Sequence, residues 1–330
     1  MRQAFINTLM KLAERDESIY LLTGDAGFTI LEEFRERFPG RYYNIGIAEA
    51  AMIGVAAGLA MSGKTVFVYT IAPFATMRCF EQIRIDLCYQ NLPVKLVGVG
   101  QGITYGSAGA THHAIEDISV MRALPNMTVI CPGGPIETKK AVEESLKLAG
   151  PCYIRLGKSG EPTVHATDDI PFVIGKGIRV RKGDTVALIA TSNMVPPAVE
   201  VADLLKKENL DPEVISMHTV KPIDRELLVD LSGRCSLFAT IEEHTVIGGL
   251  GSAVGEIILE ENLPVRLITF GIPDMYAPVA GSQEYLRDLF GLTPEQIVSR
   301  IQKVLSASNA TNDENRNPKS ERMSNDQMSK

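Results

Sequence analysis

A single carboxylate, Glu49, interrupts a run of small and apolar residues at positions 43–63, YNIGIAEAAMIGVAAGLAMSG. Burial disfavours the charged form of a carboxylate, so an acid without a partner in these surroundings would keep its proton near neutral pH. A neutral carboxyl can donate a hydrogen bond to a ring nitrogen of a bound cofactor. A structural interpretation is also open, because an acid in the first turn of a helix is stabilised by the helix dipole.

Helices and apolar strands alternate on both sides of this acid. The pattern predicts a helix at about 3–14, a buried strand SIYLLTG, a glycine-rich helix at 47–61, and further strands TVFVYT, VKLVGVG and MTVICPG. RCFEQIRIDLCYQ and AIEDISVMRAL are amphipathic and lie between these strands. Apolar strands separated by helices of this length are typical of a parallel sheet covered on both faces.

The polar stretch at 157–171, GKSGEPTVHATDDIP, indicates a domain boundary, because the pattern restarts after it. DTVALIAT, PEVISMHTV, SLFATIEE and PVRLITFGI then read as strands. The sequence therefore predicts an α/β protein with two three-layer αβα domains and mainly parallel sheets, at residues 1–160 and 171–306. Residues 307–330 are polar and are expected to be disordered.

Composition excludes several classes of function. The net charge is −7 and the basic residues are scattered, which argues against nucleic acid as a partner. The five cysteines are widely spaced and include no C-x-x-C pair, so a disulfide framework and a zinc site are both disfavoured and a cytoplasmic location is expected. The N-terminus does not have the basic-then-apolar order of a secretory signal. Glu49 within its apolar run argues against a membrane span.

Two glycine clusters and a histidine pair are candidate binding sites. GVGQGITYGSAG at 98–109 follows a strand but places Ile103 where a dinucleotide loop needs its third glycine. The GGLG run at 248–251 opens a helix, and it suits either an anion site or a tight turn that permits close packing. His112 and His113 are adjacent and point in different directions, so no metal site is predicted there.

Several ordered motifs together resemble a known family. The run YNIGIAEAAMIGVAAGLAMSGKTVFVYTIAPFATMRCFEQIR is followed by GATHHAIEDISVMRALPNM and later by IEEHTVIGGLG. These segments resemble the C-terminal half of transketolases, and more closely the small subunit of split transketolases, over residues 1–306. The resemblance implies a thiamine diphosphate-binding pyrimidine domain followed by a transketolase C-terminal domain. It also implies a transferase of carbohydrate metabolism that moves a two-carbon ketol unit between sugars.

The resemblance assigns cofactor-binding roles to particular residues. The glutamate of the family's G-I-A-E segment activates the aminopyrimidine of thiamine diphosphate, and here it is Glu49. The family's T-F-x-x-F pattern places two aromatic residues around that ring. This chain reads TIAPF, so Phe74 keeps the stacking position and Ile71 replaces the other aromatic. A core role for Phe74 is the structural alternative.

The resemblance also assigns substrate-binding roles. The histidine of G-x-T-H is His112, in the substrate channel, and the basic residue that meets the sugar phosphate is Lys158. Lysine keeps the charge but loses the bidentate fork of arginine. Asp25 and Arg2 align with further channel positions. A histidine and an aspartate that contact donor hydroxyls in many relatives are replaced by glycine at 100 and alanine at 108, which predicts an unusual deoxy, branched or nucleotide-linked donor.

A missing motif predicts a partner chain. In this superfamily the diphosphate and Mg²⁺ are held by a G-D-G segment followed by an asparagine some 25 to 30 residues later, and TGDAG has no asparagine at that distance. We therefore expect a large subunit that carries this motif, in an α₂β₂ heterotetramer with the cofactor at the interface. The small side chains around Glu49 fit the close approach of another backbone.

Four other functions remain open at this level. A β chain of a 2-oxoacid dehydrogenase shares this architecture and also works with a separate α chain, although the G-x-T-H-H-A-I-E-D run favours transketolase. A 1-deoxyxylulose-phosphate synthase is another relative, but it is normally a single chain with its own diphosphate site. A nicotinamide-dependent dehydrogenase is disfavoured by the failed glycine spacing. A catalytically inert regulatory subunit is the fourth.

Overall fold

The computed structural model describes residues 1–158 and 160–316. In the first half, helices and strands alternate as α1 (Arg2–Ala13), β1 (Ile19–Thr23), α2 (Glu32–Arg37), β2 (Tyr42–Asn44), α3 (Glu49–Met61), β3 (Thr65–Ile71), α4 (Ala72–Thr76), α5 (Phe80–Gln82) continued by a π-helical segment (Ile83–Tyr89), β4 (Val94–Val99), α6 (Asp117–Ala123), β5 (Thr128–Ile130), α7 (Pro135–Ser145) and β6 (Cys152–Leu156).

The second half continues the alternation. Its elements are β7 (Ile178–Arg181), β8 (Val186–Ala190), α8 (Val195–Lys207), β9 (Glu213–Ser216), β10 (Thr219–Lys221), α9 (Arg225–Ser232), β11 (Leu237–Thr245), α10 (Leu250–Glu260), β12 (Arg266–Ile272), α11 (Gln283–Leu289) and α12 (Pro294–Arg316). Among the residues that the structure describes, no helix combines the length and the apolar character needed to cross a membrane.

Two sheets organise these elements. The first has the strand order β10-β5-β6-β4-β3-β1-β2, and all its strand pairs are parallel except β10 with β5. The second has the order β12-β11-β8-β9-β7, and only the β7 and β9 pair is antiparallel. Helices flank both sheets. The predicted α/β fold with mainly parallel sheets is therefore confirmed.

The central strands explain why the chain adopts this fold. Every residue of β4 and β6, and the middle five of β3, are buried, as expected for parallel strands covered on both faces. One face of the first sheet packs against α1 and α7, and the other packs against α3 and α6. The second sheet is enclosed in the same way by two further clusters of buried apolar side chains.

The structure differs from the sequence prediction in two places. PEVISMHTV is not one strand, because it divides into β9 in the second sheet and β10 at the edge of the first. The side chain of Lys221 holds this crossing by donating hydrogen bonds to the carbonyls of Arg122 and Leu124, at 2.9 and 2.5 Å. The last helix continues to Arg316, ten residues past the end predicted for the second domain at 306. The remainder of the predicted tail lies outside the described residues.

Candidate active site

The residues predicted to bind ligand follow neighbouring strands at one edge of the first sheet. Lys158 follows β6, His112 follows β4, Phe74 follows β3 and Asp25 follows β1, and these four strands are adjacent and parallel. Glu49 follows β2, next to β1. Because the carboxyl ends of parallel strands share one edge, residues far apart in sequence are collected there.

Glu49 is the first residue of α3 and its side chain is only 4% exposed. It is not a lone acid, because Nη1 of Arg78 lies 3.4 Å from both carboxylate oxygens. The expectation of an acid without a partner is therefore wrong for the single chain. The turn after α4 returns Arg78 to the start of α3. Burial, reinforced by the charge of Glu49, raises the pKa of Cys79 to about 12.

Phe74 lies beside the same guanidinium. The Cζ atom of Arg78 is 3.6 Å from the centroid of the Phe74 ring, a cation–π contact, and the imidazole of His112 approaches that ring edge-on with centroids 5.3 Å apart. Ile71 is the last residue of β3 and pairs with Val99 of β4, three positions before Phe74. Arg78 therefore contacts both predicted cofactor-binding groups, the carboxylate and the aromatic ring.

A tyrosine connects His112 to the other predicted substrate residues. The rings of Tyr105 and His112 are 6.2 Å apart, and the Nζ atom of Lys158 is 5.1 Å from the centroid of Tyr105. The Nε atom of Arg2 donates to the backbone carbonyl of Lys158. Nδ1 of His112 is 3.0 Å from the hydroxyl of Thr111. Three of the predicted substrate residues, His112, Lys158 and Arg2, are thus brought to one place.

Tyr105 occupies space that a side chain at position 100 would need. Gly100 has a φ of +88°, and a Cβ there would lie 2.0 Å from Cε2 of Tyr105. Burial raises the pKa of Tyr105. Ala108 is exposed and ends the 3₁₀ turn Gly106–Ala108 in the same loop. Gly100 and Tyr105 are therefore linked sterically, and the glycine is needed for the ring to lie where it does.

Asp25 is placed apart from this set of contacts. Its backbone N–H donates to Oδ1 of Asn44 at 3.0 Å, and its own Oδ1 accepts from Nδ2 of Asn44 at 3.0 Å. Asp25 has a φ of +54° and its side chain is exposed. These bonds fix the turn after β1 against the end of β2, so the structure assigns Asp25 a clear local role.

A buried ion pair stabilises the same edge of the first sheet. Arg155 of β6 is fully buried, and its Nε donates to Asp117 at 2.7 Å, while Nη2 donates to the carbonyl of Ala114 at 2.8 Å. Tyr153 donates to the same carboxylate at 2.6 Å. Because Arg155 is enclosed in this way, Lys158 is the basic residue near the end of β6 that reaches solvent.

The glycine run at 248–251 binds an internal carboxylate. Oxygens of Glu242 accept from the N–H groups of Leu250 and Gly251, at 2.7 and 2.8 Å, at the start of α10. A Cβ at Gly249 would lie 2.1 Å from Glu242. Burial raises the pKa of Glu242 to about 7. The helix N-terminus is therefore filled by the chain itself, which favours the tight-turn interpretation over an anion site.

Arg78 and Tyr105 were missed by the sequence reasoning. Arg78 lies inside the segment RCFEQIRIDLCYQ, where it counted only as the polar face of an amphipathic helix. Tyr105 lies within the glycine cluster at 98–109, which was judged by its glycine spacing alone. An aromatic residue among glycines after a strand was the available signal.

Among residues 1–158 and 160–316, no group of three or more His, Cys, Asp or Glu is arranged to hold a metal.

Comparison with known proteins decides the family. Residues 1–162 match the model of the transketolase pyrimidine-binding domain, and residues 175–297 match that of the transketolase C-terminal domain. The chain belongs to the transketolase family. Membership of this family implies dependence on thiamine diphosphate, and it makes the chain a transferase subunit of the transketolase type.

Similar proteins include separate subunits of split enzymes. One subunit of the apulose-4-phosphate transketolase of Phocaeicola vulgatus is 37% identical, over 90% of this chain and 94% of its own. A subunit of the 6-deoxy-6-sulfo-D-fructose transketolase of Clostridium sp. is 37% identical, over 94% and 95%. A solved structure of a split-gene transketolase, in an inactive β4 tetramer, is 39% identical with a TM-score of 0.86, over 92% and 98%. A 1-deoxy-D-xylulose-5-phosphate synthase of Geobacter sulfurreducens is 36% identical, but this chain covers only 48% of it.

Proposed function

We propose that this transketolase chain supplies the pyrimidine-binding side of a two-chain, thiamine diphosphate-dependent enzyme. A larger partner would hold the diphosphate and Mg²⁺, in an α₂β₂ assembly with the cofactor between the chains. The observation that carries this proposal is the convergence of three residues at one sheet edge. One guanidinium contacts both Glu49 and Phe74, and His112 contacts the ring of Phe74.

The contacts of Arg78 indicate whether an aminopyrimidine ring fits between Glu49 and Phe74. Its guanidinium is planar and carries N–H groups, one of which meets the carboxylate of Glu49 while the plane's central carbon lies 3.6 Å from the Phe74 centroid. An aminopyrimidine ring is also planar, carries nitrogen donors and acceptors, and needs an acid and an aromatic face. The residues therefore fit that group, provided that Arg78 moves aside.

The roles of the chain's residues follow from this placement. Glu49 would share a proton with a ring nitrogen of the aminopyrimidine, and Phe74 would fix the orientation of the ring by stacking, with Ile71 beside it. When bound, thiamine diphosphate supplies the nucleophilic carbon that takes up the two-carbon unit. His112 would hydrogen-bond the sugar, and Lys158 would attract its phosphate, so that the sugar carbonyl is held in a reactive position. Arg2 would help to position Lys158, because its side chain donates a hydrogen bond to the backbone carbonyl of Lys158.

The exposed face of α3 supports the proposal that a partner subunit binds this chain. Directly beyond Glu49, this helix presents small or apolar residues to solvent in the single chain: Ala50, Ala51, Gly54, Val55, Gly58 and Met61. A Cβ at Gly54 or at Gly58 would meet no atom within 4 Å, so the chain's own packing does not require either glycine. Exposed apolar surface of this kind is typical of a protein interface, and glycines let another backbone approach closely.

The donor is proposed to be an unusual sugar of the deoxy, branched or nucleotide-linked class. Gly100 removes a polar side chain, and the ring of Tyr105 takes its space next to His112. In relatives with a polar residue at position 100, a donor hydroxyl has a hydrogen-bond partner there. In this chain the same hydroxyl would face the ring of Tyr105, and burying it without a partner costs about 1–3 kcal/mol. Two of the similar proteins are named for sugars other than xylulose phosphate.

Two further expectations are retained as proposals. We place the chain in the cytoplasm, because its cysteines are buried free thiols, which suits a reducing compartment. We also divide it into a pyrimidine-binding domain at 1–160 and a C-terminal domain at 171–306, although β10 of the second part joins the first sheet.

Reconstitution with the partner tests the proposal. We expect a neighbouring reading frame to encode the large subunit with the G-D-G and asparagine motif. That subunit would be co-expressed with this chain, and the purified pair assayed with phosphorylated and nucleotide-linked ketoses. We expect two-carbon transfer that requires both chains and thiamine diphosphate. Decarboxylation of a 2-oxoacid, with pyruvate or a branched oxoacid as the sole donor, would support the dehydrogenase or synthase alternatives instead. Full-speed turnover of xylulose phosphate would contradict the unusual donor.

A further inference from the structure

Glu243 is a fully buried carboxylate near the end of β11, in the second half of the chain. One of its oxygens accepts a hydrogen bond from the backbone N–H of Ile103 at 2.9 Å, in the loop that follows β4 of the first half. The loop backbone packs directly on this group, because a Cβ at Gly102 would lie 2.5 Å from the carboxylate. A side chain of one half therefore holds the backbone of the other.

The remaining partners of this carboxylate come from the second half. Nε of Arg287 donates to it at 2.5 Å, and Nε2 of Gln283 donates at 2.8 and 3.0 Å. Nδ2 of Asn193 donates at 3.0 Å. Gln283 also donates to the hydroxyl of Thr104 at 3.3 Å. Donors from Ile103, Asn193, Gln283 and Arg287 thus converge on one carboxylate, which favours a defined arrangement of the cluster.

The loop fixed in this way carries the sugar-binding side chains. Tyr105 follows the bonded Ile103 by two residues, and the backbone at Gly106 is packed so closely against the segment before α11 that a Cβ there would lie 2.3 Å from the carbonyl of Gly281. His112 lies further along the same loop and meets the rings of both Tyr105 and Phe74. The position of these rings depends on the anchored backbone before them.

We propose that Glu243 is a positioning residue for the sugar site, which holds the loop of residues 100–113 where Tyr105 contacts His112 and His112 contacts Phe74. This inference rests on the proposed transketolase function for the identity of the ligand, but not for the anchoring itself. Glu243 reaches the site through the loop and has no role in the steps assigned to Glu49.

A matched pair of substitutions separates this role from general stability. Glu242 and Glu243 are neighbouring, buried glutamates on β11, but Glu242 binds the start of α10 and Glu243 binds the loop. Glu243→Gln replaces one acceptor oxygen by an NH₂ and removes the negative charge. Either orientation of the amide turns the NH₂ toward donors, which are Ile103 N–H and Asn193 on one side and Gln283 and Arg287 on the other. Glu242→Gln keeps the shape and leaves the loop anchor intact.

Hydrogen exchange and kinetics of the reconstituted pair give the readout. For Glu243→Gln we expect amide exchange in residues 100–113 to accelerate about tenfold, and KM for the sugar to rise about tenfold, with kcat and thiamine diphosphate affinity changed less than about twofold. Glu242→Gln should leave the exchange of that loop and the sugar KM unchanged. The proposal would be overturned if the loop exchanged equally fast in wild type and Glu243→Gln, or if Glu242→Gln accelerated loop exchange to the same extent. It would also be overturned if Glu243→Gln weakened only the binding of thiamine diphosphate.

A milder variant covers the case in which Glu243→Gln does not fold. Arg287 is partly exposed, and Arg287→Lys keeps the charge but removes the Nε donor that meets Glu243. We expect a smaller acceleration in the same loop, and unchanged exchange there would again contradict the anchoring. If the loop loosens but the wild-type pair transfers no two-carbon unit from any sugar, the anchoring stands and the proposed function fails.

Discussion

The guanidinium of Arg78 bridges Glu49 and Phe74, with Nη1 3.4 Å from both carboxylate oxygens and Cζ 3.6 Å from the ring centroid. It makes the two contacts that we propose for the aminopyrimidine ring of the cofactor. Because one planar cation already satisfies the acid and the aromatic face, a cofactor that uses both groups must displace it. Arg78 is about half exposed, so it has solvent into which it can move.

Removing this guanidinium should tighten cofactor binding. A partly exposed ion pair and a cation–π contact together are worth about 1 kcal/mol, so Arg78→Met in the reconstituted pair should lower the Kd of thiamine diphosphate about fivefold. Isothermal titration measures the Kd. Arg84→Met is the control, because Arg84 pairs with Glu81 on an exposed helix face. Weaker binding by Arg78→Met would instead mean that the guanidinium contacts the bound cofactor.

The glycines of α3 give a test of the partner surface. Leucine at Gly54 meets no atom of this chain within 4 Å of its Cβ, and it replaces a poor helix former. Gly54→Leu should therefore leave the thermal unfolding of the single chain unchanged or raise its Tm, while it weakens association with the large subunit at least tenfold by overpacking the interface. Sedimentation of mixed subunits reports the association. Gly54→Ala should have a smaller effect, and normal assembly of the leucine variant would exclude α3 from the interface.

Two glycines with positive φ isolate the contact between Gly100 and Tyr105. Gly100 and Gly109 have φ values of +88° and +79°, but only a Cβ at Gly100 meets the tyrosine ring. Both alanine variants carry a backbone cost of about 1–3 kcal/mol for the positive φ. Gly100→Ala should lower Tm further and raise the sugar KM, because the Tyr105 ring is displaced. Equal effects of the two substitutions, measured by calorimetry and initial rates, would show that the ring is not held there.

The buried carboxyl of Glu242 should make stability fall as pH rises. Its pKa is raised from 4.5 to about 7 by burial, so the folded state binds more protons than the unfolded state between these values. The free energy of unfolding should therefore decrease from pH 4.5 to pH 7 by about 3 kcal/mol through this group alone. Glu242→Gln mimics the protonated form and should lack this decrease. Urea unfolding of both proteins checks it, and parallel pH profiles would count against the assignment.

The sequence predicts the local elements and the site residues that belong to motifs, but not the contacts between distant segments. Strand and helix periods locate β1, β3 and β4, and they predict a helix at 47–61, where α3 begins at Glu49. Periodicity could not show that PEVISMHTV divides between two sheets, because both halves are equally apolar. Arg78 is 29 residues from Glu49, and Glu243 is 140 residues from Ile103. Such pairs are made by the topology of the sheets, which local pattern does not encode.

The role of Glu49 as the acid of the cofactor site is tested most directly by Glu49→Ala in the reconstituted pair, assayed for thiamine diphosphate-dependent two-carbon transfer at saturating sugar and cofactor. We predict a fall in kcat on the order of 10³-fold, because a positioned acid contributes this much, with association of the two chains unchanged by sedimentation. A variant that assembles normally and turns over at the wild-type rate would contradict the account, and it would identify the chain as a regulatory subunit without a catalytic acid.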